Sequence, residues 1–376
     1  MKIAMVLNTS WNVYNFRMGL LNALRNDGHE MIVMAPEDSY SKYIKDEGYV
    51  FQPVRMDSRG ANPLKDTALI LEFIRAYRRH QPDLILHYTI KPNIYGTFAA
   101  AICRIPVINN VCGLGTAFMQ KNMVSWVAGK LYQLAFRYPV KVFFQNDADL
   151  ELFIKNKLVK KDITELVPGS GINLNDFPPV PYQRSRPFSF LMISRLITDK
   201  GILEYFKAAE KLHREGIEAR FRLLGNMDTE HKRGIHPTLL KKYVDKQVID
   251  YLGASDDVRS HIAQADCIVL PSYREGTPRA LLEAASSGKP IVATNVPGCR
   301  HVVEHEFNGL LCDKKSAEDL AVKMRQISGA DDDTLKEYGR NGRRKVEEEF
   351  DEKIVINSYR RSIEELGATS LKRHYA

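Results

Sequence analysis

The chain has 376 residues, of which 44% are hydrophobic and 27% are charged. This composition excludes a disordered or collagen-like protein. At roughly 150 residues per domain, the length predicts two or three domains. The 54 Lys and Arg residues exceed the 46 Asp and Glu residues by 8 charges. That excess permits an anionic partner, such as nucleic acid, a membrane surface or a phosphorylated substrate, without choosing among them.

Neither a membrane span nor a secretion signal is predicted. No apolar run in the sequence reaches the ~18 residues that a spanning helix needs. The apolar residues 3–7 are too few for the core of a signal peptide. Five cysteines are scattered without a CxxC pair, so we expect neither a disulfide framework nor a metal cluster. We therefore expect a cytoplasmic protein that could still contact a membrane peripherally.

Short apolar runs alternate with amphipathic helical patterns along the whole chain. This alternation predicts α/β domains, with parallel sheets covered by helices on both faces. Residues 178–187 are polar and proline-rich and suit a linker. We predict two doubly wound, Rossmann-like domains, 1–177 and 188–350, which face each other across a ligand cleft. Residues 351–376 are predicted to form a helix that packs back toward the first domain. The predicted strands are 3–7, 31–34, 84–87, 106–109, 140–145, 188–193, 220–224, 248–252, 267–270 and 291–294.

Charge is distributed unevenly in the first predicted domain. Residues 84–146 contain six bases and no acid, which we interpret as a region that faces something anionic. Within it, residues 122–137 give an amphipathic helix when projected at 100° per residue. Aromatic side chains mixed with cations suit a membrane interface; a helix buried on both sides is the alternative. The polar and aromatic arc carries Trp126, Lys130, Tyr132, Phe136 and Arg137.

One loop of the second predicted domain carries a candidate ligand site. Glu275 follows an apolar strand, and Glu283 lies about a turn and a half into the next helix. Carboxylates can accept hydrogen bonds from sugar hydroxyls. Free backbone N–H groups at a helix start can bind an anion. A capped helix with two solvated glutamates is the alternative. The residues around the helix start are Gly276, Thr277 and Pro278.

Two cations follow the first strand of the second predicted domain. Arg195 offers a planar fork for phosphate oxygens, and Lys200 offers a mobile point charge. Together they could stabilise negative charge on a phosphorylated ligand without a metal ion. Gly225, after the next predicted strand, is expected to border the same ligand. Two surface cations near a helix start are the alternative.

Asp147 and Asp149 form a DxD pattern, which superficially matches a carboxylate metal site. It follows a strand and opens a helical pattern, where aspartates cap the helix and complement its dipole. We therefore predict no metal site at this motif.

Glu275 and Glu283 resemble the E-x7-E signature of family 4 glycosyltransferases, which are retaining enzymes of the GT-B fold with nucleotide-sugar donors. Arg195 and Lys200 resemble the pair of cations with which that family grips the donor diphosphate. The resemblance covers nearly the whole chain. It implies that Glu275 contacts the donor hexose and Glu283 the ribose hydroxyls. It also implies catalytic roles for Glu275, Arg195 and Lys200.

The first domain resembles a bacterial subgroup that adds N-acetylhexosamine or related sugars to undecaprenyl-diphosphate-linked saccharides, in N-glycan and surface-polysaccharide assembly. This resemblance implies a UDP-sugar donor, a polyprenyl-diphosphate-linked acceptor and no further cofactor. One departure is the first loop, residues 8–12, which lacks the glycines of many family members. His87 could instead be a satisfied histidine at a strand end. The residues implied to bind the acceptor are Asn15, Arg17, His87, Lys91, Gly113 and Gly115.

The sequence thus predicts a retaining, metal-independent hexosyltransferase of GT-B architecture, peripheral on the inner leaflet of the cell membrane. Two alternatives are a transferase with a soluble acceptor and a catalytically silent nucleotide-sugar-binding scaffold. Nucleic acid is not expected as a partner, because the sequence contains no recognised nucleic-acid-binding module.

Overall fold

A computed structural model describes the backbone of residues 1–57, 63–113, 123–228 and 231–374. The chain forms two compact units. The first consists of Met1–Gly171 with Glu352–Ala376, and the second of Ile172–Asp351. Each unit is built around its own parallel sheet. The prediction of two Rossmann-like α/β domains is therefore confirmed.

The first sheet has the strand order β3-β2-β1-β4-β5-β6-β7 among the described residues, and the second has the order β10-β9-β8-β11-β12-β13. The strands of the first unit are β1 (Lys2–Val6), β2 (Glu30–Ala35), β3 (Val50–Pro53), β4 (Leu84–Tyr88), β5 (Val107–Val111), β6 (Lys141–Phe144) and β7 (Thr164–Leu166). Those of the second are β8 (Phe188–Ile193), β9 (Ala219–Leu224), β10 (Asp250–Tyr251), β11 (Cys267–Leu270), β12 (Ile291–Thr294) and β13 (Gly309–Cys312).

Helices cover the sheets of both units. The first unit contains α1 (Ser10–Asn26), α2 (Ser41–Asp46), α3 (Pro63–His80), α4 (Thr97–Cys103), α5 (Met123–Ala135), α6 (Asp147–Lys155) and α14 (Glu352–His374). The second contains α7 (Ile202–Arg214), α8 (Pro237–Asp245), α9 (Arg259–Ala263), α10 (Arg279–Ser286), α11 (Pro297–Val302), α12 (Ala317–Gly329) and α13 (Asp332–Glu349). A π-helical turn, Pro92–Gly96, precedes α4, and a 3₁₀ turn, Thr198–Lys200, precedes α7.

The central strands are buried along their whole length because a parallel sheet is covered on both faces. All five residues of β4 and all four of β11 are buried. In the first sheet, Val6 of β1 stands beside His87 of β4. Tyr88 of the same strand stands beside Asn110 of β5. Since all the described pairings are parallel, the carboxyl ends of these strands meet at one edge of the sheet.

The chain passes between the units at two places. The first crossing falls between Gly171 and Ile172, whereas the sequence suggested a boundary after residue 177. The proline-rich segment 178–187 belongs to the second unit, where the carboxylate of Asp266 accepts the backbone N–H groups of Ser185 and Ser189.

The second crossing precedes α14, which belongs to the first unit and packs on α1. Tyr359 of α14 is fully buried in the core of that unit. Its ring lies 4.7 Å from that of Phe143, centroid to centroid, and its hydroxyl accepts a hydrogen bond from Asn110 at 3.0 Å. The C-terminal helix is therefore a structural part of the first unit.

Candidate functional site

The loop between β11 and α10 carries Glu275 at the carboxyl edge of the second sheet. Glu275 Oε1 lies 2.5 Å from Lys200 Nζ and accepts a hydrogen bond of 2.6 Å from Ser272 Oγ. The Glu275 side chain is only 11% exposed. The backbone oxygen of Ser272 accepts a hydrogen bond from the hydroxyl of Thr294 on β12. Neighbouring strand ends therefore fix the position of this carboxylate.

A close backbone approach brings Lys200 to this loop. Gly201 follows Lys200 with φ at +75°, and a Cβ atom there would lie 2.0 Å from the backbone oxygen of Pro271. A side chain would therefore push the 3₁₀ turn that carries Lys200 away from the loop that carries Glu275. Glycine at this position makes the ion pair geometrically possible.

Arg195 also lies at this edge, just after β8, and its side chain is exposed. Among the ion pairs and side-chain hydrogen bonds of the described residues, none engages its guanidinium, so its five donors can bind a ligand. Gly225, after β9, allows the ends of β8 and β9 to lie close together. A Cβ atom there would lie 1.8 Å from the backbone oxygen of Ser194, so the ends of β8 and β9 could not approach each other with any other residue.

Glu283 lies on α10 and is buried. Its Oε1 pairs with Arg279 Nε at 3.4 Å, one turn earlier on the same helix. Burial raises the pKa of Glu283, and Arg279 partly opposes this shift. Gly276 and Thr277 precede the helix and are half-buried, and Pro278 is buried directly before α10.

An ion pair that the sequence analysis missed supports the site. Asp199 pairs with Arg233 at 2.5 Å between Oδ2 and Nη1. The backbone oxygen of Asp199 accepts hydrogen bonds from the Tyr273 N–H at 2.8 Å and from Ser272 Oγ at 3.3 Å. Asp199 therefore joins the 3₁₀ turn to the loop that carries Glu275. Its place beside Lys200 was a usable sequence signal, whereas nothing in the sequence pointed to Arg233.

The structure thus brings the predicted donor residues of the second unit to one sheet edge. Exposed and half-buried cations there suit the oxygens of a diphosphate, and a fixed carboxylate suits sugar hydroxyls. Within the described parts of the chain, no three His, Cys, Asp or Glu residues cluster as metal ligands would. Asp147 and Asp149, the DxD pair, lie in the first turn of α6, which Asn146 caps.

Two family models match the chain. The model for glycosyl transferases group 1 matches residues 178–345, and the model for glycosyl transferase 4-like proteins matches residues 2–146. Both compact units are therefore represented. The chain belongs to the glycosyltransferases.

This glycosyltransferase is similar to characterised bacterial proteins over most of its length. It is 27% identical to the N,N'-diacetylbacillosaminyl-diphospho-undecaprenol alpha-1,3-N-acetylgalactosaminyltransferase of Campylobacter jejuni, over 96% of this chain and 97% of that protein. It is 24% identical to the UDP-Gal:alpha-D-GlcNAc-diphosphoundecaprenol alpha-1,3-galactosyltransferase of Escherichia coli, over 77% of this chain and 76% of that protein.

Several solved structures share the fold. Anabaena HepE, crystallised with UDP and glucose, has a TM-score of 0.79 and 18% identity, over 97% of this chain and 99% of that one. The sucrose-phosphate synthase of Thermosynechococcus elongatus has a TM-score of 0.79 and 19% identity, over 98% of this chain and 100% of that one. The predicted GT-B fold class is therefore confirmed.

The acceptor residues predicted for the glycosyltransferase lie on several elements of the first unit. Asn15 is on α1, where its side chain donates to the backbone oxygen of Trp11. Arg17 is on the same helix and is buried. Gly113 follows β5, with φ at +127°. Gly115 lies outside the described residues.

Lys91 precedes the π-helical turn and forms an ion pair with Asp66, with 2.8 Å between Nζ and Oδ1. The hydroxyl of Tyr95 donates to the other carboxylate oxygen of Asp66 at 2.9 Å. Lys91 and Asp66 line a cavity of about 880 Å³, together with residues that include Arg55, Glu72 and Arg75. Lys91 therefore lies at a cavity that a ligand could enter, but its positive charge is already paired with the carboxylate of Asp66.

His87 is fully buried within β4. Its Nδ1 lies 3.1 Å from the side-chain oxygen of Asn109, and its Nε2 lies 2.8 Å from the hydroxyl of Tyr77. Both ring nitrogens are thus used within the core. The geometry favours the interpretation of His87 as a satisfied core histidine over a direct contact with the acceptor.

The surface predicted for α5 must be corrected. Trp126 is 65% exposed, and Lys130 and Arg137 are exposed. Phe136, however, is only 2% exposed, because its ring packs 4.9 Å from Tyr132 and 5.8 Å from Phe153. The prediction that Phe136 belongs to the outer face is therefore wrong. The apolar residues that are exposed instead are Val127 at 43% and Leu134 at 46%.

Gly298 on α11 offers a test of the loop that carries Glu275. A Cβ atom on Gly298 would lie 2.2 Å from the backbone oxygen of Gly276 and 2.6 Å from that of Glu275. We expect Gly298→Ala to displace this loop, to lower stability by about 1–3 kcal/mol and to weaken UDP binding. Thermal unfolding and calorimetric titration with UDP measure the two effects.

Gly329→Ala is the control for this substitution, because nothing lies within 4 Å of the added Cβ atom on α12. It should leave UDP binding unchanged. Equal behaviour of the two alanine variants would contradict the proposed support of the loop by α11.

The imidazole ring of His87 should remain neutral at pH values far below the pH at which a histidine usually takes up a proton. Burial lowers the pKa of His87 from 6.5 to about 3, although the hydrogen bond to Asn109 opposes this shift. The unfolded chain takes up this proton near pH 6.5 and the folded chain does not. Burial of His87 therefore costs no stability above pH 6.5 and destabilises the first unit increasingly as the pH falls toward 3.

Nitrogen-detected NMR of histidine rings, with His87→Gln used to assign the signal, should show a neutral ring at pH 5. A ring that titrates near pH 6.5 would show that His87 is solvated, and would restore it as a candidate acceptor contact.

Proposed function

We propose that this chain is a retaining, metal-independent glycosyltransferase of family 4 that moves a hexose or N-acetylhexosamine from a UDP-sugar to a polyprenyl-diphosphate-linked saccharide. The main support for the proposal is the group of cations, carboxylate and loop backbone at the carboxyl edge of the second sheet. There an exposed Arg195 and the pair of Lys200 with Glu275 accompany the half-buried backbone of Gly276 and Thr277.

Each group has a role in the proposed transfer. The guanidinium of Arg195 and the ammonium of Lys200 bind the diphosphate and stabilise the negative charge that grows on it as the glycosidic bond breaks. Glu275 accepts hydrogen bonds from hydroxyls of the transferred sugar, and Glu283 from those of the ribose. When the diphosphate binds, Lys200 is shared between its oxygens and Glu275.

Retention of configuration follows from attack on the same face of the sugar. The acceptor hydroxyl forms the new bond to the anomeric carbon as the bond to the departing phosphate oxygen breaks. That phosphate oxygen takes up the hydroxyl proton, so the products are the extended saccharide and UDP. No protein nucleophile is needed in this route.

The activities for which the two relatives are named support a polyprenyl-diphosphate-linked acceptor. Both the Campylobacter and the Escherichia transferases are named for undecaprenol-diphosphate-linked sugars. The Escherichia enzyme is also named for a UDP-linked donor. In this chain, we assign acceptor binding to residues of the first unit, namely Asn15, Arg17, Lys91, Gly113 and Gly115.

A lipid-linked acceptor requires access to a membrane surface. Among the described residues, no helix is long and apolar enough to cross a membrane. We propose peripheral binding to the inner leaflet through the outer face of α5, defined by Trp126, Val127, Lys130, Leu134 and Arg137. Indole and aliphatic groups enter the headgroup layer, and the two cations meet lipid phosphates.

The donor site is tested by two substitutions. Glu275→Ala should abolish transfer and retain UDP binding, because the sugar contact is lost and the cations remain. Arg195→Ala should weaken UDP binding by at least about tenfold and reduce transfer, since a charge-assisted hydrogen bond is worth about 1.5–3 kcal/mol. Transfer is measured by mass spectrometry with a panel of UDP-sugars and a short polyprenyl-diphosphate saccharide.

The matched control for Arg195 is Arg214→Ala, which removes an arginine that is 72% exposed at the end of α7. It should behave as the parent protein. Full turnover in Glu275→Ala or Arg195→Ala would contradict the assigned site. Release of UDP without transfer to a lipid-linked acceptor, but with transfer to a soluble sugar, would favour the soluble-acceptor alternative.

The outer face of α5 is tested by the combined change Trp126→Ser, Lys130→Ser and Arg137→Ser. Each cation near an anionic surface contributes about 1 kcal/mol, so we expect membrane partitioning to fall by at least about 30-fold. Co-sedimentation with vesicles that contain anionic lipid measures this change. The control is Lys42→Ser with Tyr43→Ser, an exposed cation and aromatic ring on α2. Unchanged sedimentation of the triple variant would disprove lipid binding by this face.

A further inference from the structure

Arg17 is an unusual cation because it is buried without a described carboxylate partner. Its side chain is 4% exposed, and its guanidinium carbon lies 4.5 Å above the ring of Tyr88. Its one described hydrogen bond runs from Nη2 to the sulfur of Cys112 at 3.9 Å. Its Nε is buried and has no partner among the described residues.

Such a charge is costly to bury unless an anion compensates it. A guanidinium stays protonated in proteins, so Arg17 stays charged although it is buried. Its neighbours Tyr88, Cys112 and Tyr359 are phenols and a thiol, so the described surroundings hold no formal negative charge against it.

Other unpartnered polar atoms lie at the same sheet edge. The side-chain oxygens of Asn8 and Thr89 are buried and form no hydrogen bond among the described residues. Asn8 follows β1 and Thr89 follows β4, and these two strands are neighbours in the first sheet. Thr89 also has φ at +66°, which is strained for a β-branched residue.

The backbone beside these residues favours a close approach. Cys112 and Gly113 follow β5, and Gly113 has φ at +127°. Asn8, Thr89 and Gly113 are half-buried, so this edge of the sheet is partly accessible to solvent. Ligands of open α/β sheets bind at the carboxyl ends of the strands.

We propose that Arg17 binds a diphosphate at the carboxyl edge of the first sheet, and that this is the diphosphate that links the acceptor saccharide to its lipid. The inference rests on the proposed function, which assigns the acceptor to the first unit but names no group for its diphosphate. Arg17 supplies the compensating fork of N–H donors, and the hydroxyl of Thr89 donates to a phosphate oxygen.

The test uses the full chain with UDP at saturation, so that the diphosphate site of the second unit is occupied. Inorganic diphosphate and farnesyl diphosphate are titrated by calorimetry into the parent, Arg17→Met and Arg25→Met. Arg25 is the matched control because it lies on the same helix, with its guanidinium carbon 4.4 Å above the ring of Tyr49, but is exposed.

We expect the parent and Arg25→Met to bind both probes. Arg17→Met should lose at least about tenfold in affinity for both, because a charge-assisted contact is removed, while its affinity for UDP is unchanged. Methionine fills similar space without a charge, so the melting temperature without ligand should not fall. Unchanged affinity of Arg17→Met for diphosphate would overturn the proposal.

If Arg17→Met does not fold, Arg17→Lys tests whether Arg17 binds the diphosphate. Lysine keeps the charge and removes the planar fork, so diphosphate affinity should fall without a change in UDP affinity. An equal loss of both would mean a purely structural role and would overturn the proposal. Binding of inorganic diphosphate without competition by farnesyl diphosphate would equally overturn the assignment to a lipid-linked acceptor.

The outcomes also separate this inference from the proposed function. If diphosphate binding depends on Arg17 and no UDP-sugar supports transfer to a lipid-linked saccharide, the site stands and the proposed function fails. If transfer occurs and Arg17→Met leaves the acceptor KM unchanged, the proposed function stands and this inference fails.

Discussion

The functional edge of the second unit depends on the approach of Gly201 to the backbone oxygen of Pro271. The Cβ atom of any other residue would lie 2.0 Å from that oxygen. This contact brings the turn after β8 against the loop after β11 and so allows Lys200 to reach Glu275. Removing one partner of a fully buried ion pair costs about 3–5 kcal/mol. At 22% and 11% exposure, this pair keeps some hydration, so its loss should cost less.

The two units differ in how the cations at their carboxyl sheet edges are paired. In the second unit, the charges of Lys200 and Arg233 are balanced by carboxylates, and Arg195 forms no ion pair among the described residues. In the first unit, Arg17 is buried with no described counter-charge. A ligand of the second unit must share or exchange existing pairs. A ligand of the first unit would supply the missing charge, so it should stabilise that unit more strongly.

The features that sequence could predict were local. Continuous apolar runs gave the central strands because both faces of a parallel sheet are buried. The short edge strands β3, β7 and β13 were not among the predicted strands, because a few residues carry little periodic signal, and the predicted strand 248–252 is longer than the observed β10. The spacing of Glu275 and Glu283 placed both residues correctly at one loop and helix. The contact of Gly298 with that loop depends on α11 packing across it, which no spacing of residues reveals.

The sequence-based expectation for Phe136 was wrong, and that for His87 stayed open, for the same reason: contacts with other helices and strands could not be read from a local pattern. Projection of α5 as a wheel gave the angular positions of Tyr132 and Phe136 but not the direction in which α6 and β6 lie. Phe153 and Phe144 come from those elements and draw both rings into the core. Likewise, the polar surroundings of His87 come from α3 and β5, through Tyr77 and Asn109. A helix projection or a single strand cannot show which neighbour completes a core.

The acid-free segment 84–146 shows how tertiary contacts change the meaning of net charge. Two of its six bases are neutralised by acids from outside it, since Lys91 pairs with Asp66 and Lys141 with Glu165. Lys130 and Arg137 are exposed and form no ion pair among the described residues. An anionic surface would therefore be attracted to the unpaired cations, which include those of the outer face of α5, and not to the segment as a whole. Trp126 and two aliphatic side chains are exposed on the same face. A lipid surface would engage these apolar groups together with the cations, whereas a purely polyanionic partner would leave the apolar groups in water.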